Sequence, residues 1–229
     1  MHDRRRLALG LALVALLAIL ASPFVLSIVR TPAFHLYPDS RVALVLSNLP
    51  FLVVAALARG APGYLRVSVA AIALGSGAYH ARPGDELLAL DWAPIALTLM
   101  LLAATVIERR VAFMLAPILA LGSVAYWLAT GGTHSGGNMA PYVVTQAAGV
   151  FIPPLIALIA PGRVRALWLL AGVACFALAR VAAAYDRELL EASGLSGHSI
   201  KHIVAALAAW CALRATTVRS RIIGVNRSA

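Results

Sequence analysis

Two histidines four residues apart, His198 and His202, open the last apolar segment of the chain in the run G-H-S-I-K-H-I-V-A-A-L-A-A-W. Residues at i and i+4 share a helix face, so both imidazoles project to the same side. Ionisable groups inside an apolar helix need a partner, a cavity or an ion. A second polar group lies far upstream, in G-S-G-A-Y-H-A-R-P-G-D-E-L-L-A-L-D, and supplies Ser76, His80 and Asp91. Three neutral imidazoles can fill three corners of a tetrahedral zinc site and leave the fourth for water. Zinc acidifies such a water to near neutrality and makes it a nucleophile. An aspartate beside that water can take its proton and deliver it to a leaving group. Ser76 precedes His80 by one helical turn, so its hydroxyl points into the same space and can hold the water or donate to an oxyanion. The expected metal ligands are therefore His80, His198 and His202, with Asp91 and Ser76 as the catalytic pair.

Each residue also has a plainer use. A single interfacial histidine is a hydrogen-bonded tip, Asp91 near a helix start can act as a cap, and Ser76 can simply pack. Their conjunction is what points to a metal. A triad of Ser76, His80 and Asp91 lacks a G-x-S-x-G elbow and leaves His198 and His202 without a role. His134, in T-G-G-T-H-S-G-G-N, reads as a solvated loop residue, and His35 falls in an earlier loop. Asn48 in S-N-L-P-F reads as a buried residue making an interhelical hydrogen bond. Trp92, Trp127, Trp168 and Trp210 read as packing or interface residues. Cys175 and Cys211 lie within apolar segments without Cys-x-x-Cys spacing, which suits packing and excludes a thiolate metal site.

The elements that must position these residues are apolar helices. Of 229 residues, 62% are hydrophobic and only 12% charged, with a mean hydropathy of +0.88. Soluble domains are about half apolar and about a quarter charged, so the composition is that of an integral membrane protein. A net charge of +10 would suggest a nucleic-acid partner in a soluble chain, but here the basic residues lie at segment ends. Eight segments of near-spanning length are predicted, at 7–29, 42–59, 64–81, 88–107, 111–130, 142–160, 164–185 and 197–216. The fold class is all-α, a polytopic helical bundle. The first segment follows M-H-D-R-R-R and mimics a signal peptide, yet no clean cleavage site interrupts it, so residues 1–30 read as a retained anchor. Residues 217–229 read as a basic tail. Thirteen of the nineteen basic residues fall on one side of this topology and six, including Lys201, on the other. The positive-inside rule then puts both termini in the cytoplasm. His80, Asp91, His198 and His202 all come to one depth near the outer face.

The run G-S-G-A-Y-H, the spacing from His80 to Asp91 with Pro94 beyond it, and H-x-x-x-H opening the last helix together resemble the alkaline ceramidases. They are similar to the wider superfamily of seven-helix membrane hydrolases that includes adiponectin-receptor-like and haemolysin-III-like proteins. S-N-L-P-F at 47–51 resembles the end of the first core helix in that family. The resemblance covers about residues 40–216 and implies a seven-helix core preceded by one extra helix. It implies zinc held by His80, His198 and His202, with Asp91 and Ser76 around the metal's water, and hydrolysis of a ceramide-like N-acyl lipid to a fatty acid and a long-chain amine. The chain departs from the family in three places. The acidic calcium-binding stretch is reduced to Asp39 with Arg41 in F-H-L-Y-P-D-S-R, which speaks against calcium. Trp92 follows Asp91 where the family has an acid, and Lys201 replaces an aromatic beside the second histidine. The Ala- and Arg-rich composition suits a bacterial cytoplasmic membrane. A non-enzymatic lipid sensor with a structural zinc clamp is the rival reading. A transporter is disfavoured because the polar residues gather at one face.

Overall fold

A computed structural model of the chain describes residues 41–160 and 164–217. The predicted anchor at 1–30, His35, Asp39 and all of the basic tail beyond Thr217 lie outside the described residues. Within them the chain forms nine helices and no strands: α1 Arg41–Leu46, α2 Leu49–Leu57, α3 Gly63–Ala81, α4 Asp85–Ile107, α5 Arg110–Ala129, α6 Ala140–Ile159, α7 Ala166–Ala184, α8 Asp186–Ser193 and α9 Gly197–Thr216.

Four of these, α4 to α7, are long and apolar enough to cross a bilayer, which marks the chain as a membrane protein. Large apolar side chains such as Val67, Met114 and Leu167 point outward, as lipid-facing residues do. Helices α3 and α9 match the four in length, with 19 and 20 residues. They fall short in hydropathy because the polar site residues lie on them. With α3 and α9 included by length, six of the described helices are long enough to span; the seventh expected span, 42–59, is the shorter apolar stretch Arg41–Leu57, so four spans are shown by both length and hydropathy.

Local chemistry explains the boundaries. The segment expected to run unbroken from 42 to 59 is two helices, because Pro50 near the start of α2 has no N–H to give Leu46 and its ring crowds that carbonyl. The junction is closed by Ser47 N–H donating to Ala43 O at 2.8 Å and Asn48 N–H to Val45 O at 3.2 Å. Helix α3 stops at Arg82, held extended by Pro83 (φ −143°, ψ 89°), and so places His80 in its last turn. Helix α4 begins with Asp85 and Glu86, acids that suit a helix N-terminus. Asp85 also accepts from the Thr133 N–H at 3.1 Å and from the Thr133 hydroxyl, tying the α5–α6 loop to the start of α4. The short helix α8, which lies between two of the predicted apolar segments, ends on Gly194 at φ 75°.

Helix α4 packs against α3, α5 and α6, while α9 lies along α7 and meets α2 and α3 on its other side. A mainly aliphatic core of Leu65, Val69, Ile72, Val106 and Leu213, with Phe51 among them, fills one half of the bundle. An aromatic core fills the other, where Trp92 stacks on Tyr142 at 4.7 Å and tilts against Trp127 at 4.6 Å. Trp92 and Trp127 are packing residues, as expected. Trp168 and Trp210 both receive the Arg214 guanidinium on their rings, at 5.8 and 5.6 Å.

Candidate metal centre

The three histidines expected to act together meet at one end of the bundle. The ring centroids of His80, His198 and His202 are 4.8 to 4.9 Å apart in all three pairs. One nitrogen from each lies within 4.8 Å of the others, a group able to hold a metal ion. His80 and His202 are buried and His198 is half-buried.

The hydrogen bonds of each ring differ. Both nitrogens of His80 are buried and have no hydrogen-bond partner among the described residues. An unsatisfied buried polar group costs about 1–3 kcal/mol, so two on one ring are a large debit against a fold stabilised by about 5–15 kcal/mol. A metal bond removes that debit at one nitrogen, so the residues fit such an ion. His202 has the opposite arrangement. Its Nδ1 lies 2.8 Å from Ser47 Oγ and 3.3 Å from Asn48 Nδ2. The Ser47 hydroxyl donates to Leu44 O at 2.8 Å, so its oxygen is left to accept from His202 Nδ1–H. That tautomer leaves Nε2 as the nitrogen with a free lone pair, the outer-sphere support that histidine ligands characteristically have. Asn48 Nδ2 donates to Leu44 O at 2.8 Å, while its buried Oδ1 has no partner. With the proton on His202 Nδ1, the Asn48 amide nitrogen approaches that ring at 3.3 Å without bonding to it, so Asn48 is buried as expected but its bond is to Leu44 rather than across to α9. His198 is fixed by its backbone, whose N–H donates to Asp186 Oδ1 at 2.8 Å. Ser196 caps the same helix by accepting from the Ser199 N–H at 3.0 Å.

Asp91 and Ser76 face each other across α3 and α4. Both are buried, and the Ser76 hydroxyl lies near the Asp91 carboxylate. Glycine makes this approach possible. A methyl group on Gly75 would collide with the Leu90 carbonyl, so only glycine lets α3 lie this close to α4 beside Asp91. Pro94 has already freed that carbonyl from its helical donor. Gly197 plays the same part for α9, where a methyl group would meet the Ala182 carbonyl of α7 just before His198.

Three residues at the centre have no role in it from the sequence alone. Ser47 stands out only as the first residue of S-N-L-P-F. Asp186 lies between two of the predicted apolar segments. Lys201, counted among the outer-side charges, sits inside α9, half-buried, with Nζ 2.7 Å from His198 Nε2. Its signal was available: a lysine three residues after one candidate ligand shares that ligand's helix face. His134 is exposed in the α5–α6 loop, outside the histidine group. Cys175 and Cys211 are close enough to interact across α7 and α9.

An open apolar groove of about 330 Å³ descends from this end between α2 and α9, lined by Pro50, Val54, Leu57, Ile203, Ala206, Leu207 and Trp210. Its Pro50 and Ile203 end lies toward Asn48 and His202 along the two helices, although none of the three histidines lines it. No family model matches this chain, and it has no significant similarity to a curated protein or to a solved structure.

Proposed function

We propose that this protein is a zinc-dependent membrane hydrolase of the alkaline-ceramidase type, cleaving the amide of an N-acyl lipid to a fatty acid and an amine. The observation that carries the reading is the fully buried His80 ring, whose two nitrogens have no partner among the described residues and which faces two further histidines. His80, His198 and His202 would hold the ion. Zinc in that position supplies Lewis acidity, polarising a carbonyl and lowering the pKa of water.

The chain's own residues supply the rest. Asp91 takes a proton from water and passes it to the departing amine nitrogen. The water oxygen becomes bonded to the acyl carbon as the carbon–nitrogen bond breaks. Ser76, one turn from His80 and near Asp91, orients that carboxylate and can donate to the carbonyl oxygen as charge develops there. Ser47 holds the His202 ring in the tautomer a ligand needs. The α2–α9 groove accommodates an acyl chain that arrives from the lipid, with its carbonyl at the histidine end.

The family resemblance at Ser76, His80, Asp91 and the histidine pair adds a seven-helix core, while the distribution of basic residues supports cytoplasmic termini with a centre near the outer face, and the Ala- and Arg-rich composition a bacterial membrane. The test is release of fatty acid from a panel of N-acyl lipids by the purified protein, with and without chelator. Turnover that chelation abolishes and zinc restores supports the proposal. A tightly held zinc with no turnover of any acyl lipid would instead favour the structural clamp of a sensor.

A further inference from the structure

Lys201 is a cation placed where a metal centre should repel one. It stands between two histidines on α9, and its one hydrogen bond among the described residues is to His198 Nε2, at 2.7 Å; a metal ion on His198 would take that acceptor away, because Nε2 would then carry either the ion or the ring proton, and would leave the ammonium in need of another partner. Asp91 and Asp186 act on it through space without forming an ion pair, and Arg180 on α7 adds a second positive charge to the same surroundings. Both acids already have work: Asp186 caps α9 at His198, and Asp91 faces Ser76. With a dication on the histidines, the positive charges exceed the negative ones. A half-buried ammonium beside a metal ion is costly in a membrane interior. It becomes favourable once a bound molecule brings negative charge.

Resting on the hydrolase reading above, we propose that Lys201 binds an acidic group on the substrate, and that the substrate class is an N-acyl lipid with an acid close to the scissile amide. Neutral ceramide is not of this class. An N-acyl amino acid is: its carboxylate carbon lies three bonds from the acyl carbonyl carbon, roughly 3–4 Å away by standard bond lengths. That span suits a site in which the histidine nitrogens lie within 4.8 Å of one another and the ammonium is 2.7 Å from one of them. A phosphate on the amine portion would offer the same charge. Lys201 also stands one turn from His198 on the face of α9 that holds the ligands, so an acid bound to it would lie beside the histidines.

The test separates charge recognition from turnover. Full-length zinc-loaded protein in phosphatidylcholine nanodiscs is titrated with hexadecyloxyacetate and with neutral 2-(hexadecyloxy)ethanol, neither of which has an amide to cleave. The wild type should bind the anion at least about tenfold more tightly, the scale of one hydrogen bond to a charged group. Lys201→Met should erase the preference and Lys201→Arg should keep it. Equal binding of the two probes by the wild type would overturn the proposal. So would a preference that survives in Lys201→Met, since the metal alone would then be selecting the anion. A parallel loss of both probes in Lys201→Met and Lys201→Arg would mean a structural role. Because neither probe reacts, this result stands even if no lipid is hydrolysed. Turnover then identifies the acid: N-oleoylglycine against N-oleoyl-O-phosphoethanolamine distinguishes carboxylate from phosphate, and faster cleavage of ceramide than of both counts against the inference.

Discussion

Removing the Ser47 hydroxyl should weaken metal binding although Ser47 is no ligand. The 2.8 Å bond from His202 Nδ1 to Ser47 Oγ is the shorter of two polar contacts on that nitrogen. Ser47 is itself oriented by donating to Leu44 O, so the ring, the hydroxyl and the end of α1 form one chain of bonds. In Ser47→Ala the His202 N–H loses its 2.8 Å acceptor and is left with the Leu44 carbonyl, which also lies near the ring, beside the 3.3 Å contact with Asn48. Loss of such outer-sphere partners costs about 10–100-fold in metal affinity, or about 1.4–2.8 kcal/mol. The assay is a zinc titration of purified protein against a chelator of known affinity, with thermal unfolding to confirm that the fold survives. The effect should be non-additive, because Ser47 acts through His202: in a His202→Ala background the substitution should cost nothing further. An unchanged zinc affinity in Ser47→Ala would refute the tautomer argument. A loss that persists in the His202→Ala background would show that Ser47 acts by another route.

Purified protein should carry about one zinc per chain, and His80→Ala, His198→Ala and His202→Ala should each lose it; metal analysis by mass spectrometry checks this, and a metal-free wild type would remove the basis of the site. Asp91→Asn should retain the metal while hydrolysis falls by about 10²–10⁴-fold, and turnover at the wild-type rate would take the proton-transfer role from Asp91. Gly75→Ala should push α3 away from α4, at about 1–3 kcal/mol of stability, and part Ser76 from Asp91; unaltered unfolding and turnover would mean that the helices can absorb a methyl group. Trp127→Ala, which empties a buried part of the aromatic core, should cost about 3–5 kcal/mol yet leave zinc affinity intact, and a parallel fall in affinity would show that the core and the centre are one unit.

The sequence by itself determined the helical class and the choice of three histidines. Long apolar runs broken by Arg-bearing loops allow few structures other than membrane helices. The spacing of His198 and His202 fixes their common face whatever surrounds them. It could not reveal that α3 would bring His80 to within 4.9 Å (between ring centroids) of both, because that depends on helix packing rather than on any local pattern. The same holds for the supporting groups. Ser47 reaches His202 only because Pro50 breaks the helix there and α2 lies beside α9. Ser76 comes near Asp91 only because Gly75 has no side chain to hold α3 off. Hydropathy alone passes over α3 and α9, for the physical reason that the residues building the centre also dilute the apolar signal of the helices carrying them. Lys201 shows the division most clearly. Its sequence position makes it a charge near the start of a helix, whereas the packed bundle turns it toward His198 and within the field of Asp91. Its proposed part in choosing a substrate follows from that placement, which only tertiary structure could decide.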